Sequence, residues 1–390
     1  MKRLEALLQQ LCPNGVIYKR LGNIASITRG GNFQKKDYRE HGFPCIHYGQ
    51  IYTKYNLFIT EPISHISNEK AAQQKTAKPG DIIMAVTSEN IEDVCKCIAW
   101  LGNCEIAVSG HAVIIHHHLN PKFLAYYLNS SLFYKQKLTM AQGTKVIEVS
   151  PEKLRNVLLP VPPLEVQQEI VRILDHFSEL TAELTAELTA RKKQFSFYQT
   201  MLFQQAKNAT VKYLDEISEN CDNLRKPVTS GNRTKGDYPY YGASGIVDYV
   251  DGYIFDGDYL LVSEDGANLL ARSTPIAFSI AGKNWVNNHA HVLRFEEYAT
   301  RRYVEFYLNA MDLSPYVTGG AQPKLNQKNL NRIPISLPPL PEQRRIVAIL
   351  DRFDALCNDL TSGLPAEIAA RQKQYEYYRD KLLTFPERKK

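Results

Sequence analysis

Two stretches of the chain carry apolar residues at steps of three and four, the pattern of a helix that buries one stripe. In the first stretch these positions are Ile173, Phe177, Leu180, Leu184, Leu188, Phe195, Tyr198 and Leu202. In the second they are Ile349, Phe353, Leu356, Leu360, Leu364, Ile368, Tyr375, Tyr378 and Leu382. Two equivalent stripes can bury each other, so the pattern favours a coiled coil, although each helix could instead lie on its own domain.

Each predicted helix follows a proline-rich segment, and the two segments are repeats. The sequence PPLEVQQEIVRILDHF at 162–177 returns as PPLPEQRRIVAILDRF at 338–353, an offset of 176 residues. RKKQFSFY at 191–198 returns as RQKQYEYY at 371–378, now with an offset of 180. The chain is therefore an internal duplication whose second copy is four residues longer between these points.

Weaker landmarks extend the repeat upstream. Phe43-Pro44 and Tyr48-Gly49 resemble Tyr238-Pro239 and Tyr241-Gly242, His111-Ala112 resembles His289-Ala290, and residues 123–129 resemble 303–309. Short apolar and β-branched runs at 82–86, 112–115, 259–262 and 291–293 predict strands, and 121–129 and 301–309 predict helices. Between the landmarks the copies diverge, so a shared framework carries different loops.

The two long helices differ in one respect. Residues 181–188 repeat Thr-Ala-Glu-Leu in tandem, and these strong helix formers predict a regular spacer. The second copy has Gly363 and Pro365 at the corresponding place, which should kink or interrupt its helix.

These patterns predict an α+β fold in which a pair of long helices joins two similar mixed domains. The predicted segments are an N-terminal helix (1–15), a first globular domain (16–158), a proline bracket with the first helix (159–209), a second globular domain (210–332), and a second bracket with its helix (333–390).

Composition narrows the function only slightly. A chain of 390 residues with a net charge of +6 permits an anionic partner without requiring one. No apolar run is long enough for a membrane span, and Met1 to Glu5 lead into Gln9 and Gln10, so we expect a protein that is not exported. Seven cysteines make a disulfide framework improbable, and Cys95, Cys97 and Cys104 lack the spacing of most zinc sites; buried thiols are expected.

Motifs for catalysis are missing. The sequence has no G-x-x-x-x-G-K-[ST] phosphate loop, no G-x-G-x-x-G opening a strand–turn–helix unit, no G-x-S-x-G and no H-E-x-x-H. Asp256, Asp258, Glu264 and Asp265 could form a metal-dependent nuclease centre, but solvated turn carboxylates are the favoured interpretation. No catalytic or metal-binding residue is therefore assigned.

The divergent loops combine cations, amides and aromatic residues, a mixture that suits phosphates and base edges. For a single loop residue, ordinary solvent exposure is the alternative. The candidate DNA-binding residues are Arg29, Asn32, Lys35, Lys36, Arg39, Tyr48, Gln50, Thr144 and Lys145 in the first half, and Arg225, Lys226, Arg233, Lys235, Tyr241, Ser244, Gln322 and Lys324 in the second.

The proline bracket with Gln-x-x-Ile-Val-x-Ile-Leu-Asp-x-Phe, its recurrence, the Thr-Ala-Glu-Leu tandem and the Arg-Lys-Lys-Gln-Phe end resemble the specificity subunits of type I restriction-modification enzymes. Leu11 to Val16 and the stretch 238–246 are also similar to that family, so the resemblance covers nearly the whole chain.

The resemblance implies a cytoplasmic prokaryotic DNA-reading subunit without catalytic activity. Two target-recognition domains would each bind one half of a split DNA site, and the two helices would pair antiparallel. Two methyltransferase subunits would dock on the helices, and restriction/translocase subunits would join through them; S-adenosylmethionine, ATP and Mg²⁺ would be used by these partners. The implied helix and docking residues are Pro162, Pro163, Gln167, Ile170, Leu174, Phe177, Leu184, Leu188, Pro338, Pro339, Gln343, Ile346, Leu350 and Phe353.

Two other functions stay open at this point. The chain could be a coiled-coil interaction scaffold without a role in DNA binding, or, less plausibly given the missing motifs, an enzyme that acts on DNA alone. A salt-dependent gel shift separates a scaffold from a DNA reader, because phosphate contacts make the affinity fall with salt.

Overall fold

The computed structural model describes residues 2–388. The chain forms two compact units, of which the first comprises residues 1–183 and 368–390 and the second comprises residues 184–367. The C-terminal segment therefore belongs to the same unit as the N-terminal domain, and each unit contains part of both long helical stretches.

The first unit contains two five-stranded sheets, ordered β2-β12-β8-β10-β5 and β3-β6-β4-β11-β7, and two small pairs, β1-β14 and β9-β13. Its strands are β1 (Tyr18–Arg20), β2 (Ala25–Arg29), β3 (Tyr38–Arg39), β4 (Phe43–Ile46), β5 (Phe58–Ile59), β6 (Ser64–Ile66), β7 (Thr76–Ala77), β8 (Ile82–Ala85), β9 (Thr87–Ser88), β10 (Cys97–Trp100), β11 (Ile106–Val108), β12 (Ala112–His117), β13 (Ile147–Glu148) and β14 (Leu158–Pro160). Its helices are α1 (Lys2–Leu11), α2 (Tyr48–Thr53), α3 (Asn68–Ala71), α4 (Pro121–Leu128), α5 (Ser131–Met140) and α6 (Pro151–Leu154), with 3-10 turns at Leu21–Asn23 and Lys35–Asp37.

Helix α7 (Leu164–Gln204) begins in the first unit and ends in the second. The second unit has four-stranded sheets ordered β16-β23-β20-β21 and β18-β17-β22-β19, and the pair β15-β24. Its strands are β15 (Thr210–Tyr213), β16 (Glu219–Asn220), β17 (Lys235–Gly242), β18 (Gly245–Val250), β19 (Phe255–Asp256), β20 (Tyr259–Ser263), β21 (Ala277–Ile280), β22 (Lys283–Val286), β23 (Ala290–Arg294) and β24 (Pro334–Leu337). The remaining helices are α8 (Leu214–Ile217), α9 (Asn268–Ala271), α10 (Tyr298–Ala310), α11 (Gln327–Asn331), α12 (Leu340–Asn358) and α13 (Leu364–Leu382), with 3-10 turns at Asp222–Leu224, Ser230–Asn232 and Ser314–Tyr316.

All four predicted strand runs are confirmed as β8, β12, β20 and β23, the central strands of their sheets. They read as apolar runs because helices cover one side and the second sheet covers the other, so most of their side chains are buried. Cys95 and Cys97 lie in this interior as predicted, and burial raises the pKa of both thiols to about 12. Cys104, in contrast, is exposed.

The repeat is visible in the strand register. Strand β4 runs parallel to β11 with Ile46 opposite Val108, and β17 runs parallel to β22 with Tyr241 opposite Val286. Tyr241 is therefore the structural counterpart of Ile46. The sequence comparison, which placed Tyr241 against Tyr48, was wrong here because a short aromatic-glycine match outweighed the strand register.

The repeated Gln-x-x-Ile-Val-x-Ile-Leu-Asp motif fixes each long helix to its own unit. Gln167 donates from Nε2 to the carbonyl of Pro162 at 2.7 Å, and Gln343 donates to the carbonyl of Pro338 at 2.7 Å. Asp175 accepts a hydrogen bond from Tyr126 in α4, as does Asp351 from Tyr298 in α10. The motif thus closes the turn after the prolines and ties α7 to α4 and α12 to α10.

Aromatic contacts pair the two helical stretches within each unit. In the first unit the Phe177 ring stacks on Tyr378 with 5.4 Å between centroids, and in the second the Tyr198 ring stacks on Phe353 at 5.6 Å. The earlier residue of α7 meets the later residue of the partner stretch, which is the order of an antiparallel coiled coil. No helix within residues 2–388 is long and apolar enough to cross a membrane.

The second helical stretch is interrupted, as Gly363 and Pro365 predicted. Helix α12 ends at Asn358 and α13 begins at Leu364. Between them the Asp359 carboxylate accepts hydrogen bonds from Thr361 and Ser362, and these bonds hold the pKa of Asp359 far below its usual range. A Cβ at Gly363 would meet the carbonyl oxygen of Ala355 at 2.5 Å, so the turn requires glycine.

Candidate nucleic-acid interface

The first unit has a cleft of about 530 Å³ at the place where β2 ends and where α2 and β12 begin. Residues 29–34, His47, Tyr48 and residues 109–111 line this cleft, which we call the first-unit cleft. It brings together three of the predicted DNA-binding residues, Arg29, Asn32 and Tyr48. Their convergence from separate segments supplies a cation, an amide and an aromatic ring at one opening.

Rings form one wall of the first-unit cleft. The Tyr48 ring lies 4.5 Å from that of His47 and 4.9 Å from that of His111, measured between centroids. The backbone N–H of Tyr48 donates to Ser109 Oγ at 2.8 Å. Gln50, also predicted to contact DNA, instead closes the start of α2, because its Oε1 accepts from the His47 N–H at 2.9 Å and its Nε2 donates to Ser64 at 2.6 Å.

Arg29 holds a loop at the edge of the cleft. Its guanidinium donates to the Glu148 carboxylate at 2.6 Å and to the Gly110 carbonyl at 3.0 Å, while about half of the side chain stays exposed. Glu148 ends the loop 142–148, whose exposed middle carries Thr144 and Lys145. The ion pair therefore places both predicted residues beside the cleft.

The loop 142–148 has a counterpart at 318–324 in the second unit. Each loop is closed by a β-bridge between its first and last residues, and each has a glycine with positive φ in second place, Gly143 at +107° and Gly319 at +84°. Lys324 is consequently the counterpart of Glu148. Lys145 and Lys324, both candidate DNA-binding residues, therefore do not occupy equivalent positions, although the segments 142–145 and 322–324 look alike in sequence.

The other predicted residues of the first unit lie on the surface after the cleft. Lys35, Lys36 and Arg39 are all exposed, the two lysines in a 3-10 turn and Arg39 in β3. Arg39 donates to the carbonyl oxygen of Tyr38 at 2.8 Å. The lysines supply positive charge beside the cleft, as a phosphate-binding surface requires.

At the corresponding place the second unit has a group of charged residues that we call the ion cluster: Asp222, Arg225, Glu264, His291 and Lys324. Arg225 donates to Glu264 at 2.7 Å and lies 3.3 Å from Asp222, and Lys324 lies 3.2 Å from Glu264. The Arg225 side chain is only 14% exposed. This predicted DNA-binding arginine is therefore bound within the protein rather than presented on a loop.

His291 sits at the centre of the ion cluster and is 1% exposed. Its Nδ1 lies 2.6 Å from Asp222 and its Nε2 lies 2.7 Å from the carbonyl oxygen of Leu325. A carbonyl oxygen and a carboxylate are both acceptors, so the doubly protonated ring satisfies both contacts. The cluster is thus an ordered network of alternating charges.

Burial raises the pKa of the Asp222 and Glu264 carboxyls, but hydrogen bonds and positive charges from His291, Arg225 and Lys324 outweigh it, so both pKa values lie below their usual range. The expectation of solvated turn carboxylates is wrong for Glu264, which is paired and largely buried. Asp222, Glu264 and His291 have the spacing of a metal-ligand set, but Arg225 and Lys324 already supply the positive charge.

The remaining candidates of the second unit are dispersed. Arg233 lies over the Tyr240 ring at 4.3 Å and donates to Asp248, so it supports the β17-β18 hairpin. Tyr241 is half-buried against Phe278. Exposed side chains, which could meet DNA directly, belong to Lys226, Lys235, Ser244 and Gln322.

The predicted helix and docking residues divide into two groups. The first group is buried within its own unit, so these side chains hold the helix in place and are not available to contact another chain, contrary to the prediction that they form a docking surface. This group comprises Gln167, Ile170, Leu174, Gln343, Ile346 and Leu350. Pro162 and Pro338 are buried, Pro163, Phe177, Leu184, Leu188 and Phe353 are partly buried, and Pro339 is exposed.

Sequence reasoning missed the residues that define both sites most sharply. His47 belongs to the first-unit cleft, and Asp222 and His291 to the ion cluster. His111 and His289 were used only as landmarks of the repeat, although each immediately precedes the equivalent strand of its unit, β12 or β23. Their equivalent position in the repeat was the one available sequence signal. No sequence motif or residue spacing distinguishes His47, Asp222 or His291.

Comparison with protein families gives a match over both halves. Residues 13–191 and 206–370 match the family described as type I restriction modification DNA specificity domain. A putative type I restriction enzyme specificity subunit of Haemophilus influenzae is 44% identical over 183 residues, which are 46% of this chain and 47% of that protein. The chain thus aligns with about half the length of that relative.

Other relatives and solved structures match more of the chain. A putative type I specificity subunit of Mycoplasma pneumoniae is 32% identical over a region that covers 58% of this chain and 92% of that protein. The EcoR124I/EcoR124II specificity subunit of Escherichia coli is 33% identical over a region that covers 58% of this chain and 61% of that protein. The S subunit of a type I restriction-modification system from M. genitalium superposes with a TM-score of 0.54 at 15% identity, covering 95% and 96% of the two chains. A chain from a structure of a type I R-M system superposes with a TM-score of 0.62 at 20% identity, covering 96% of this chain and 98% of that chain.

Proposed function

Because the chain belongs to the family of type I restriction modification DNA specificity domains, we propose that it is the non-catalytic subunit that selects the DNA site. Residues 16–158 and 210–332 act as two target-recognition domains, each of which reads one half of a bipartite site. The observation that carries this proposal is that the same strand framework holds the first-unit cleft in one unit and the ion cluster in the other. Different side chains on one framework select different half-sites, so the full site is asymmetric.

The paired helices set the separation of the half-sites. Helix α7 runs through the Thr-Ala-Glu-Leu tandem as one element of 41 residues. Each tetrapeptide adds about 6 Å of helix, against roughly 3.4 Å per base pair, so the loss of one unit shortens the spacer by about one or two base pairs.

The partners are double-stranded DNA and two copies of a methyltransferase subunit, with restriction/translocase subunits joined through them. Support for two copies comes from a ring arrangement that occurs once in each unit. Tyr378 meets Tyr377 edge-on at 5.3 Å, and Tyr198 meets Phe197 edge-on at 5.6 Å. The outer rings, Tyr377 and Phe197, are 61% and 64% exposed.

An exposed aromatic ring adds little to the stability of its own fold, so its presence in both otherwise divergent units indicates a partner common to both. Because the DNA half-sites differ, the common partner is a methyltransferase subunit, with one copy bound at the exposed ring of each unit. S-adenosylmethionine, ATP and Mg²⁺ are used by the partner subunits, and the complex acts in the cytoplasm of a prokaryote.

The decisive experiment is methylation mapping in cells that express this chain with its methyltransferase subunit. We expect one asymmetric bipartite motif, methylated in both halves. Deletion of Thr185 to Leu188 should change the spacer by one or two base pairs while both half-site sequences stay the same. Altered half-site bases would contradict the ruler, and the lack of any chain-dependent motif would contradict the proposed function.

A further inference from the structure

His47 in the first-unit cleft is held in one tautomer. The backbone N–H of Gly49 donates to His47 Nδ1 at 3.2 Å. A backbone amide is only a donor, so Nδ1 carries a lone pair and a neutral ring has its proton on Nε2. Burial, then the positive charge of Lys35 and the neighbouring His111, lowers the pKa of His47 below its ordinary value, which favours the neutral ring.

The orientation of this ring is also fixed. Tyr48 packs against it at 4.5 Å, and Phe33 meets it edge-on at 6.5 Å. The His47 N–H donates to Gln50 Oε1, which holds the backbone. Within residues 2–388, Nε2 of His47 has no hydrogen-bond partner, and the ring lines the cleft. A single oriented donor is therefore offered to whatever enters.

We propose that His47 reads one base of the half-site bound by the first unit, by donating from Nε2 to a base edge in the major groove. The inference rests on the proposed function. An N–H donor fits N7 or O6 of guanine, N7 of adenine or O4 of thymine, whereas cytosine presents an amino donor at its edge. The base that faces His47 is therefore guanine, adenine or thymine.

The readout is confined to one half-site. In the second unit the strand register that places Tyr241 opposite Val286 makes Gly242 the counterpart of His47. Gly242 has no side chain to donate. A substitution at His47 should therefore leave the other half-site untouched, an outcome that general weakening of the protein would not produce.

The test measures methylation rates of the assembled complex with its methyltransferase on DNA libraries randomised in each half-site. His47→Phe keeps a ring against Tyr48 and removes the donor, and His47→Gln keeps a donor. His118→Gln, at an exposed histidine beyond the end of β12, is the matched control. We expect His47→Phe to reduce the discrimination between bases at one position of the half-site by about ten-fold. His47→Gln should shift the preferred base at that position toward adenine, whose edge suits an amide side chain.

Unchanged preferences in both variants would overturn the inference, as would an equal loss of rate on all sequences, since that pattern marks a phosphate contact. If His47→Phe fails to fold, His47→Gln decides alone: a shift at one position supports the inference and no shift refutes it. Wild-type protein and His118→Gln should select the same bipartite site. If they select none, the proposed function fails, whereas a normal wild-type site with unaltered His47 variants refutes the inference alone.

Discussion

The first-unit cleft and the ion cluster occupy the same place on two copies of one framework, yet their charges are arranged differently. In the first unit, β2 supplies the cation, Arg29, and the loop 142–148 supplies the carboxylate, Glu148. In the second, the loop 318–324 supplies the cation, Lys324, and the residue after β20 supplies the carboxylate, Glu264. Glu148 and Lys324, which occupy equivalent positions in the two loops, thus carry opposite charges.

The histidines that immediately precede β12 and β23, His111 and His289, show the same exchange. His111 lies 3.2 Å from the Thr87 hydroxyl, whereas His289 lies 2.8 Å from the Asp265 carboxylate. A neutral partner has been replaced by an anion without a change in the strands around it. The comparison teaches that backbone register is kept where sheets must pair, and that residues just beyond the strand ends are free to define two different surfaces.

The largest effect should come from removing Glu264, the carboxylate that pairs with both Arg225 and Lys324 in the ion cluster. Glu264→Val introduces an apolar side chain and leaves Arg225 and His291 with Asp222 as their remaining carboxylate. Breaking a largely buried pair destabilises by about 3 kcal/mol. Hydrogen exchange of the whole chain should then show about 100-fold faster exchange in β20 and β23. Asp265→Thr, at a more exposed pair, is the control, and unchanged exchange in the second unit would contradict the role of the cluster.

The next effect concerns the exposed aromatic ring that each unit carries, Phe197 in one and Tyr377 in the other. Phe197→Ala or Tyr377→Ala should weaken binding of the methyltransferase subunit by about 2 kcal/mol at one of two sites, the scale of an aromatic hot spot. Calorimetric titration should give one tight and one weak site for each single variant and two weak sites for the double variant. An equal loss of affinity at both sites from a single variant, or no loss of affinity from the double variant, would show that the two rings are not equivalent binding sites for the methyltransferase subunit.

Low pH should destabilise the second unit, because the ion cluster contains two carboxylates whose pKa values are lowered by folding. The pKa values of Asp222 and Glu264 are below their usual range in the folded protein, so these groups add stability above the ordinary carboxyl range, near pH 4, and this stability is lost as pH falls through the folded values. Lowering the pH from 5 to 3 should destabilise the second unit of wild-type protein by about 1 kcal/mol more than that of Glu264→Gln. Hydrogen exchange in β23 at each pH measures this, and parallel curves would refute it.

How far the sequence predicted these structures depends on the kind of constraint. The central strands and the helical stripes were predictable, because long apolar runs and three- and four-residue steps have one physical interpretation. The break at Gly363 was predictable because helices exclude this sequence. The ion cluster was not, since it joins Asp222, Glu264 and His291, whose meeting is decided by strand register. His47 was missed because its role depends on a backbone hydrogen bond that leaves no sequence pattern.

The smallest expected effect distinguishes two lysines that are both candidate DNA-binding residues. Lys145 is exposed in the middle of its loop, whereas Lys324 ends its loop and pairs with Glu264. Lys145→Ala should weaken binding equally for all DNA sequences and reduce the salt slope by about one, because it removes one phosphate contact. Lys324→Ala should change the salt slope less and alter preferences in the second half-site, because it shifts the cluster that holds Arg225. Fluorescence titrations of the assembled complex at several salt concentrations measure both, and identical slopes with identical preferences would show that the ion cluster does not separate the two lysines.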